Sequence, residues 1–171
     1  MPNLLVAILL NIGMLVSFSA TASQRVELAS LCQALEGYWV GDSAQPQGEV
    51  VASSVKGLCS ADGQQLMLYV SAKHPSAATE AWWFRQQGDE VLLTFYAGED
   101  EDKQQRFTLY QQATSYTLLG EGQRLSRPAL IQLRFDRQAQ GWLWRQSVMY
   151  LDDDSDQYQL FRGISLQQAK P

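Results

Sequence analysis

The hydrophobic pattern of this chain changes once, from a helical repeat to a two-residue alternation. The apolar positions of the first part recur at intervals of three and four residues, as on one face of a helix: Leu28, Leu31, Cys32 and Leu35. Ser23 is a favourable N-terminal capping residue, and Gly37 is a residue type at which helices commonly end. The pattern therefore predicts a helix from Ser23 to about Glu36 with one apolar face.

Beyond this helix, apolar and polar residues alternate as in strands with one buried face. The segments that show the alternation are Tyr38–Asp42, Glu49–Leu58, Gln64–Lys73, Thr79–Gln87, Glu90–Ala97, Gln104–Gln112, Ser115–Gly120, Ala129–Arg137, Trp142–Leu151 and Gln157–Leu166. The connections are too short to hold a crossover helix, so consecutive strands should pair antiparallel. We therefore predict an all-β fold, an antiparallel up-and-down barrel of about 8–10 strands with a short N-terminal helix. A β-sandwich is the alternative.

The alternation also assigns side chains to the two faces of the strands. In the strand Ala129–Arg137, the face predicted to point inward contains Ile131, Leu133 and Phe135. In the strand Trp142–Leu151 the more apolar face contains Trp142, Trp144, Gln146, Val148 and Tyr150. In the strand Gln157–Leu166 it contains Tyr158, Leu160, Arg162 and Ile164. The adjacent residues Trp82 and Trp83 point opposite ways, so one of them should lie on the outer surface.

The first residues have the features of an export signal. Leu4 to Phe18 form an apolar run, no charged residue precedes Arg25, and Ala20-Thr21-Ala22 has the A-x-A form of a cleavage site. A retained membrane anchor is the alternative, but a span needs about 20 apolar residues. We predict a cleaved signal peptide over residues 1–22 and one domain over residues 23–171. The mature protein would then be periplasmic, in a bacterium, or secreted, and would not span a membrane.

Export would place the two cysteines, Cys32 and Cys59, in an oxidising compartment, where they should form a disulfide. The closed loop of about 28 residues corresponds to roughly 3.6 kcal/mol of stabilisation in the chain-entropy model. The cysteines lack C-x-x-C spacing, which favours a structural bond over a redox-active pair.

Composition excludes several classes of protein. A hydrophobic content of 46% argues against disorder, and a net charge of −5 argues against nucleic-acid binding. With one histidine and two cysteines, the sequence predicts no metal site and no cofactor.

A serine-histidine-aspartate site would require His74, in a predicted turn, and G-x-S-x-G is absent. The acidic runs 99–102 and 152–156 lie in predicted hairpin loops. The second matches the start of a calcium loop but lacks its glycine and closing glutamate. We therefore assign no catalytic residue, and an enzyme is the least favoured class.

The segment Leu35-Glu36-Gly37-Tyr38-Trp39-Val40-Gly41 has the form L-x-G-x-W-x-G. A short helix before it and a β-meander after it resemble the opening of calycin-type barrels, which include lipocalins, fatty-acid-binding proteins and nitrobindin-like domains. The resemblance implies that Gly37, Trp39 and Gly41 are structural, with Trp39 at the closed end of the barrel beneath Arg162. The late histidine of haem-binding members and the R-x-Y clamp of fatty-acid-binding proteins are both missing.

The aromatic side chains are the strongest functional candidates. Those predicted to line a cavity, with Gln146 as a polar contact, are Trp82, Phe84, Phe95, Tyr110, Trp142, Trp144, Tyr150 and Tyr158, and Arg162 could anchor a ligand. Alternatively, these side chains fill the interior as a solid core. We predict an exported, non-enzymatic protein that binds a small apolar or amphipathic ligand. The second hypothesis is a protein-interaction or envelope-assembly module that uses the outward Trp83 and exposed strand edges.

Overall fold

The computed structural model describes residues 22–72, 79–98 and 102–169. The predicted signal peptide, apart from Ala22, lies outside these residues, as does His74. The described part contains one helix, α1 (Leu28–Leu35), and eleven strands. The strands are β1 (Gln24–Arg25), β2 (Gly37–Ala44), β3 (Val51–Cys59), β4 (Gln65–Ala72), β5 (Glu80–Gln87), β6 (Glu90–Tyr96), β7 (Lys103–Gln112), β8 (Ser115–Arg124), β9 (Arg127–Gln138), β10 (Gly141–Tyr150) and β11 (Gln159–Gln168).

Ten of the strands, β2 to β11, form a closed antiparallel barrel in which each strand pairs with the next along the chain. Closure comes from the last and first barrel strands, since Leu166 of β11 lies opposite Gly41 of β2. The predicted all-β, up-and-down barrel with a short N-terminal helix is confirmed, and the sandwich alternative is not adopted. The additional strand β1 was not predicted. It pairs with Tyr110 and Gln111 of β7, and Arg25 forms an ion pair with Asp89.

The helix begins at Leu28 instead of Ser23, so the predicted cap is wrong. Glu27 occupies the N-cap position but makes no capping bond with its side chain. Instead, the Leu28 amide donates a hydrogen bond of 2.7 Å to Oε1 of Gln86, on β5. The acceptor that caps the helix is thus the side-chain oxygen of Gln86, on a distant strand, because the residues before Leu28 are extended.

Replacing Gln86 by alanine should lower the free energy of unfolding by about 1 kcal/mol, the usual cost of losing a helix cap. The Nε2 group of Gln86 also donates to the carbonyl oxygens of Gly88 and Glu90, so its loss loosens the same hairpin. Urea denaturation followed by tryptophan fluorescence measures the change. The matched control is Gln87→Ala, at the exposed neighbouring position. An equal loss in both variants would contradict the capping role.

The helix covers one end of the barrel, which we call the closed end. The predicted apolar stripe of α1 is confirmed, because Leu28, Leu31, Cys32 and Leu35 are all buried. Beneath the helix, the indole Nε1 of Trp39 donates a 3.0 Å hydrogen bond to the carbonyl oxygen of Leu35. The Trp39 side chain therefore joins the first barrel strand to the last turn of α1.

The cysteines add a covalent link at the same end. The predicted disulfide between Cys32, on α1, and Cys59, at the end of β3, is confirmed, with a Cα–Cα distance of 5.4 Å. It therefore fixes the helix to the barrel wall.

The β8–β9 hairpin is longer than the sequence pattern predicts. The turn consists of Leu125 and Ser126, whose φ angles of 51° and 63° are typical of a two-residue hairpin turn. Gly120, the last residue of the predicted strand, and Gly122, which lies beyond it, both belong to β8. A Cβ on Gly120 would lie 2.9 Å from Nε2 of Gln105 and closer still to a backbone oxygen of β7. These glycines therefore permit a close approach of two strands and do not mark a turn.

The side chain of Gln105 bridges β7 and β8 where their backbones separate. Pairing between these strands extends from Ser115 to Leu119 of β8 and stops there. Beyond it, Nε2 of Gln105 donates to the carbonyl oxygens of Arg106 and Glu121, at 2.9 and 2.7 Å. Within the described strands, the exposed edges predicted for an incompletely closed barrel are therefore reduced to a short separation of β7 and β8 with a side-chain bridge.

Candidate functional site

The opposite end of the barrel, which we call the open end, contains a cavity of about 890 Å³. Its apolar walls are formed by inward side chains of five neighbouring or facing strands, namely Trp82, Leu93, Phe95, Phe107, Ile131, Leu133 and Phe161. Polar side chains surround its mouth, including Gln45, Lys103, Gln104, Gln123, Arg124 and Ser126. The interior is thus solid near the helix and hollow at the other end.

The floor of the cavity is aromatic. The ring centroid of Trp82 lies 4.6 Å from that of Phe95 and 4.9 Å from that of Trp144. The Trp144 ring in turn stacks on Phe135 at 5.1 Å. Such offset and edge-on contacts make a rigid apolar surface. They separate the cavity from the packed core below.

The predicted partnership between Arg162 and Trp39 is wrong. The residue opposite Trp39 on β11 is Gln168, whereas Arg162 lies at the other end of the strand, beside the register pair Gly163 and Ala44. The prediction failed because a residue's height in the barrel depends on strand register, which the alternation does not specify.

Arg162 instead forms an ion pair in the cavity wall. Its Nη1 donates to both carboxylate oxygens of Glu80, at 2.8 and 2.7 Å, and its Nε donates to Oγ of Ser43 at 3.1 Å. Glu80 also accepts a 3.0 Å hydrogen bond from the indole Nε1 of Trp82. This network fixes the orientation of the guanidinium group and of one floor tryptophan.

Gln146 occupies the wall next to this network. It is buried and lines the cavity, and it lies directly opposite Arg162 across the β10–β11 pair. Its Nε2 has no hydrogen-bond partner among the described residues, and neither has Nε1 of Trp144, the preceding inward side chain of the strand. The inner face of β10 thus contains two N–H donor groups, those of Gln146 and Trp144, that have no acceptor among the described residues.

A β-bulge displaces two of the predicted inward residues. Gln146 pairs with Arg162 but Ser147 pairs with Leu160, so Phe161 is the extra residue of β11. Phe161 lines the cavity, whereas Leu160 and Tyr158 are exposed. Nothing in the alternation of this segment marks the bulge, so sequence reasoning missed Phe161.

The predicted cavity residues divide into three groups. The structure brings Trp82, Phe95, Gln146 and Arg162 together around the cavity. Three others, Phe84, Trp142 and Trp144, are buried in the core and do not line the cavity as described. The other three do not reach it either: Tyr158 is exposed, Tyr110 alternates with the buried Leu109 and faces outward, and Tyr150 lies beside Arg127, whose guanidinium is 4.0 Å from its ring centroid.

Charged side chains at the open end are mostly paired. Arg127 donates to Asp152 and Asp153, and its hydrogen bond holds the pKa of Asp152 below the usual value. The Arg124 guanidinium lies 4.0 Å from the ring centroid of Phe161. Across the described ranges, no group of three or more potential metal ligands is present. The carboxylates of the 152–156 loop nearest the barrel are thus engaged by an arginine.

No protein-family model matches the sequence, and no curated protein matches it significantly. In the part of the chain that the structure covers, no helix is long and apolar enough to cross a membrane. The barrel with its short helix is consistent with a calycin-like architecture. Membership of a calycin family remains a prediction.

Proposed function

We propose that this protein is an exported, non-enzymatic binding protein whose cavity holds a small apolar or amphipathic molecule. The observation that carries the proposal is the cavity of about 890 Å³ above the aromatic floor. Ligand sites typically measure about 300–1,000 Å³ and combine apolar walls with a few polar groups. The apolar residues Leu4 to Phe18 and the Cys32–Cys59 disulfide support export to the periplasm or secretion.

A second candidate function, protein interaction, is favoured by an apolar patch on the outer wall. Leu58, Met67 and Trp83 lie side by side across β3, β4 and β5, with Tyr69 in the next row. Leu58 and Tyr69 are 44% and 36% exposed. This outer patch would suit a partner protein. Trp83, however, already bonds to Gln65 and carries the Arg85 guanidinium on its ring.

Binding of the neutral fluorescent probe N-phenyl-1-naphthylamine tests the cavity. We expect enhanced probe fluorescence with the wild-type protein, and a dissociation constant at least about tenfold higher for Ile131→Trp, because the larger side chain fills the cavity. The control is Leu130→Trp, at the preceding residue of β9, which lines a separate outer depression and not the cavity. Circular dichroism would verify that both variants fold.

The same titration separates the two candidates. If the probe binds in the cavity, its binding is weakened by Ile131→Trp and unaffected by Leu58→Glu on the outer patch. The opposite result, loss of binding in Leu58→Glu alone, would reject the cavity as the site and favour the interaction module. Absence of probe binding by the wild-type protein would also count against the proposed function.

A further inference from the structure

The cavity wall contains a buried amide group whose N–H atoms have no partner. Gln146 is 2% exposed and lines the cavity, and its Nε2 finds no acceptor among the described residues. Leaving a buried donor unpaired is costly, so most such groups in proteins are hydrogen-bonded. Rotation about the terminal torsion of glutamine is soft, so the amide can turn towards the cavity at small cost. The position is therefore suited to an acceptor carried by a ligand.

The ion pair next to Gln146 is electrically balanced, and the other cations that line the cavity, Lys103 and Arg124, lie at its mouth. Arg162 faces Gln146 across the strand pair, and the carboxylate of Glu80 neutralises the guanidinium. The two side chains of this ion pair are only 15% and 21% exposed. An additional negative charge at this wall would be unbalanced in a partly desolvated position, whereas a neutral acceptor would not be. The site therefore favours a neutral oxygen over a carboxylate.

The side chains next to this polar wall are apolar, so the rest of the ligand should be apolar as well. Leu133 lies opposite Gln146 on the β9 side, and the rings of Trp82 and Phe95, whose centroids are 4.6 Å apart, form the floor. A flat or cyclic apolar body can lie against these rings with its oxygen directed at the wall.

We propose that the cavity binds a neutral apolar molecule carrying a carbonyl oxygen, and that this oxygen accepts a hydrogen bond from Nε2 of Gln146. This inference rests on the proposed function and names the chemical class of its ligand. Ketones, aldehydes, esters and amides share the required acceptor.

Three naphthalenes of nearly equal size test the proposal in the full mature protein: 2-acetylnaphthalene, 2-ethylnaphthalene and 2-naphthoate. Their dissociation constants are obtained by displacement of N-phenyl-1-naphthylamine. We expect the acetyl compound to bind about tenfold more tightly than the ethyl compound, since only the former completes the hydrogen bond. The carboxylate should bind more weakly than the acetyl compound because its charge is unbalanced.

Substitution of Gln146 identifies the donor. In Gln146→Leu, the preference for acetyl over ethyl should fall to twofold or less, while the ethyl compound still binds. The unfolding temperature should be unchanged or higher, because the variant removes an unpaired polar group. The control is Gln132→Leu, at an outward position of β9 that does not line the cavity, which should keep the wild-type preference. The carbonyl stretching frequency of bound, ¹³C-labelled 2-acetylnaphthalene should be lower in the wild-type protein than in Gln146→Leu.

Each outcome decides between the inference and the proposed function. Equal binding of the acetyl and ethyl compounds by the wild-type protein would overturn the inference and leave the proposed function intact. Tightest binding of 2-naphthoate, with no effect of Gln146→Leu, would also overturn it. If none of the compounds and no probe binds, the proposed function itself fails. Should Gln146→Leu not fold, Gln146→Met replaces it, and the wild-type preference with the carbonyl frequency remains decisive.

Discussion

Replacing Gly41 by alanine is expected to destabilise the protein by about 3 kcal/mol or more, the upper range for forcing atoms into a packed position. Gly41 lies on β2 opposite Leu166 of β11, at the pair that closes the barrel. A Cβ at this position would lie 2.8 Å from the carbonyl carbon of Ser165 and closer still to its oxygen. The obstructing atoms belong to the backbone and cannot rotate away, so the two strands would have to separate. Urea denaturation at neutral pH measures the loss.

Gly163 provides a matched control on the same pair of strands. It lies opposite Ala44, and a Cβ there would meet no atom within 4 Å. Because an unstrained glycine in a strand is destabilising relative to alanine, Gly163→Ala should be neutral or stabilising by up to about 1 kcal/mol. Similar losses in both variants would show that general strand propensity, and not close approach at Gly41, determines the effect.

The seven-residue motif from Leu35 to Gly41 is thus explained by three separate physical requirements. Gly37 has a φ angle of 123°, which side-chain-bearing residues rarely adopt, as the chain turns from helix to strand. Trp39 bonds back to Leu35 and fills the closed end. Gly41 permits the neighbouring strand to approach. All three therefore act in the fold and none of them reaches the cavity described above.

The strand pattern predicted the barrel because nearly all of the information is local. Each hairpin is specified by two alternating segments and a short connection, and a long meander has few ways to avoid free edges. Errors occurred where a distant residue decides a local structure. The helix start depends on Gln86, and the extent of β8 depends on the position of Gln105 against Gly120.

The cavity was less predictable, because its position depends on register and on one bulge. Inward-facing Trp82, Phe95 and Gln146 could be predicted from alternation. The height at which they meet, above a solid layer formed by Phe84 and Trp144, could not. At the bulge, a shift of one residue decides which of the neighbouring side chains point into the barrel and which point outward. Sequence reasoning therefore identified a suitable set of aromatic residues without separating those of the core from those of the cavity.

Removing the disulfide by the double substitution Cys32→Ala and Cys59→Ala should lower the free energy of unfolding by about 3.6 kcal/mol. The sequence separation of 27 residues sets the entropy that the bond removes from the unfolded chain. In the folded state, Leu28, Leu31 and Leu35 remain buried and keep the helix on the barrel, so the variant should fold to the same structure. Denaturation with and without dithiothreitol measures the loss: the reductant should destabilise the wild-type protein by a similar amount and leave the variant unaffected.

The bond also connects stability to the proposed export. Wild-type protein produced without residues 1–22 in a reducing cytosol should behave like the double variant, since thiols stay reduced there. The full chain, if exported, should give a product without free thiols and with the higher stability. Both cysteines reacting with a thiol reagent in the natively produced, unfolded protein would contradict export to an oxidising compartment. Because both preparations contain the same barrel, any difference in stability between them reports on oxidation of Cys32 and Cys59, and hence on the compartment in which the chain folds.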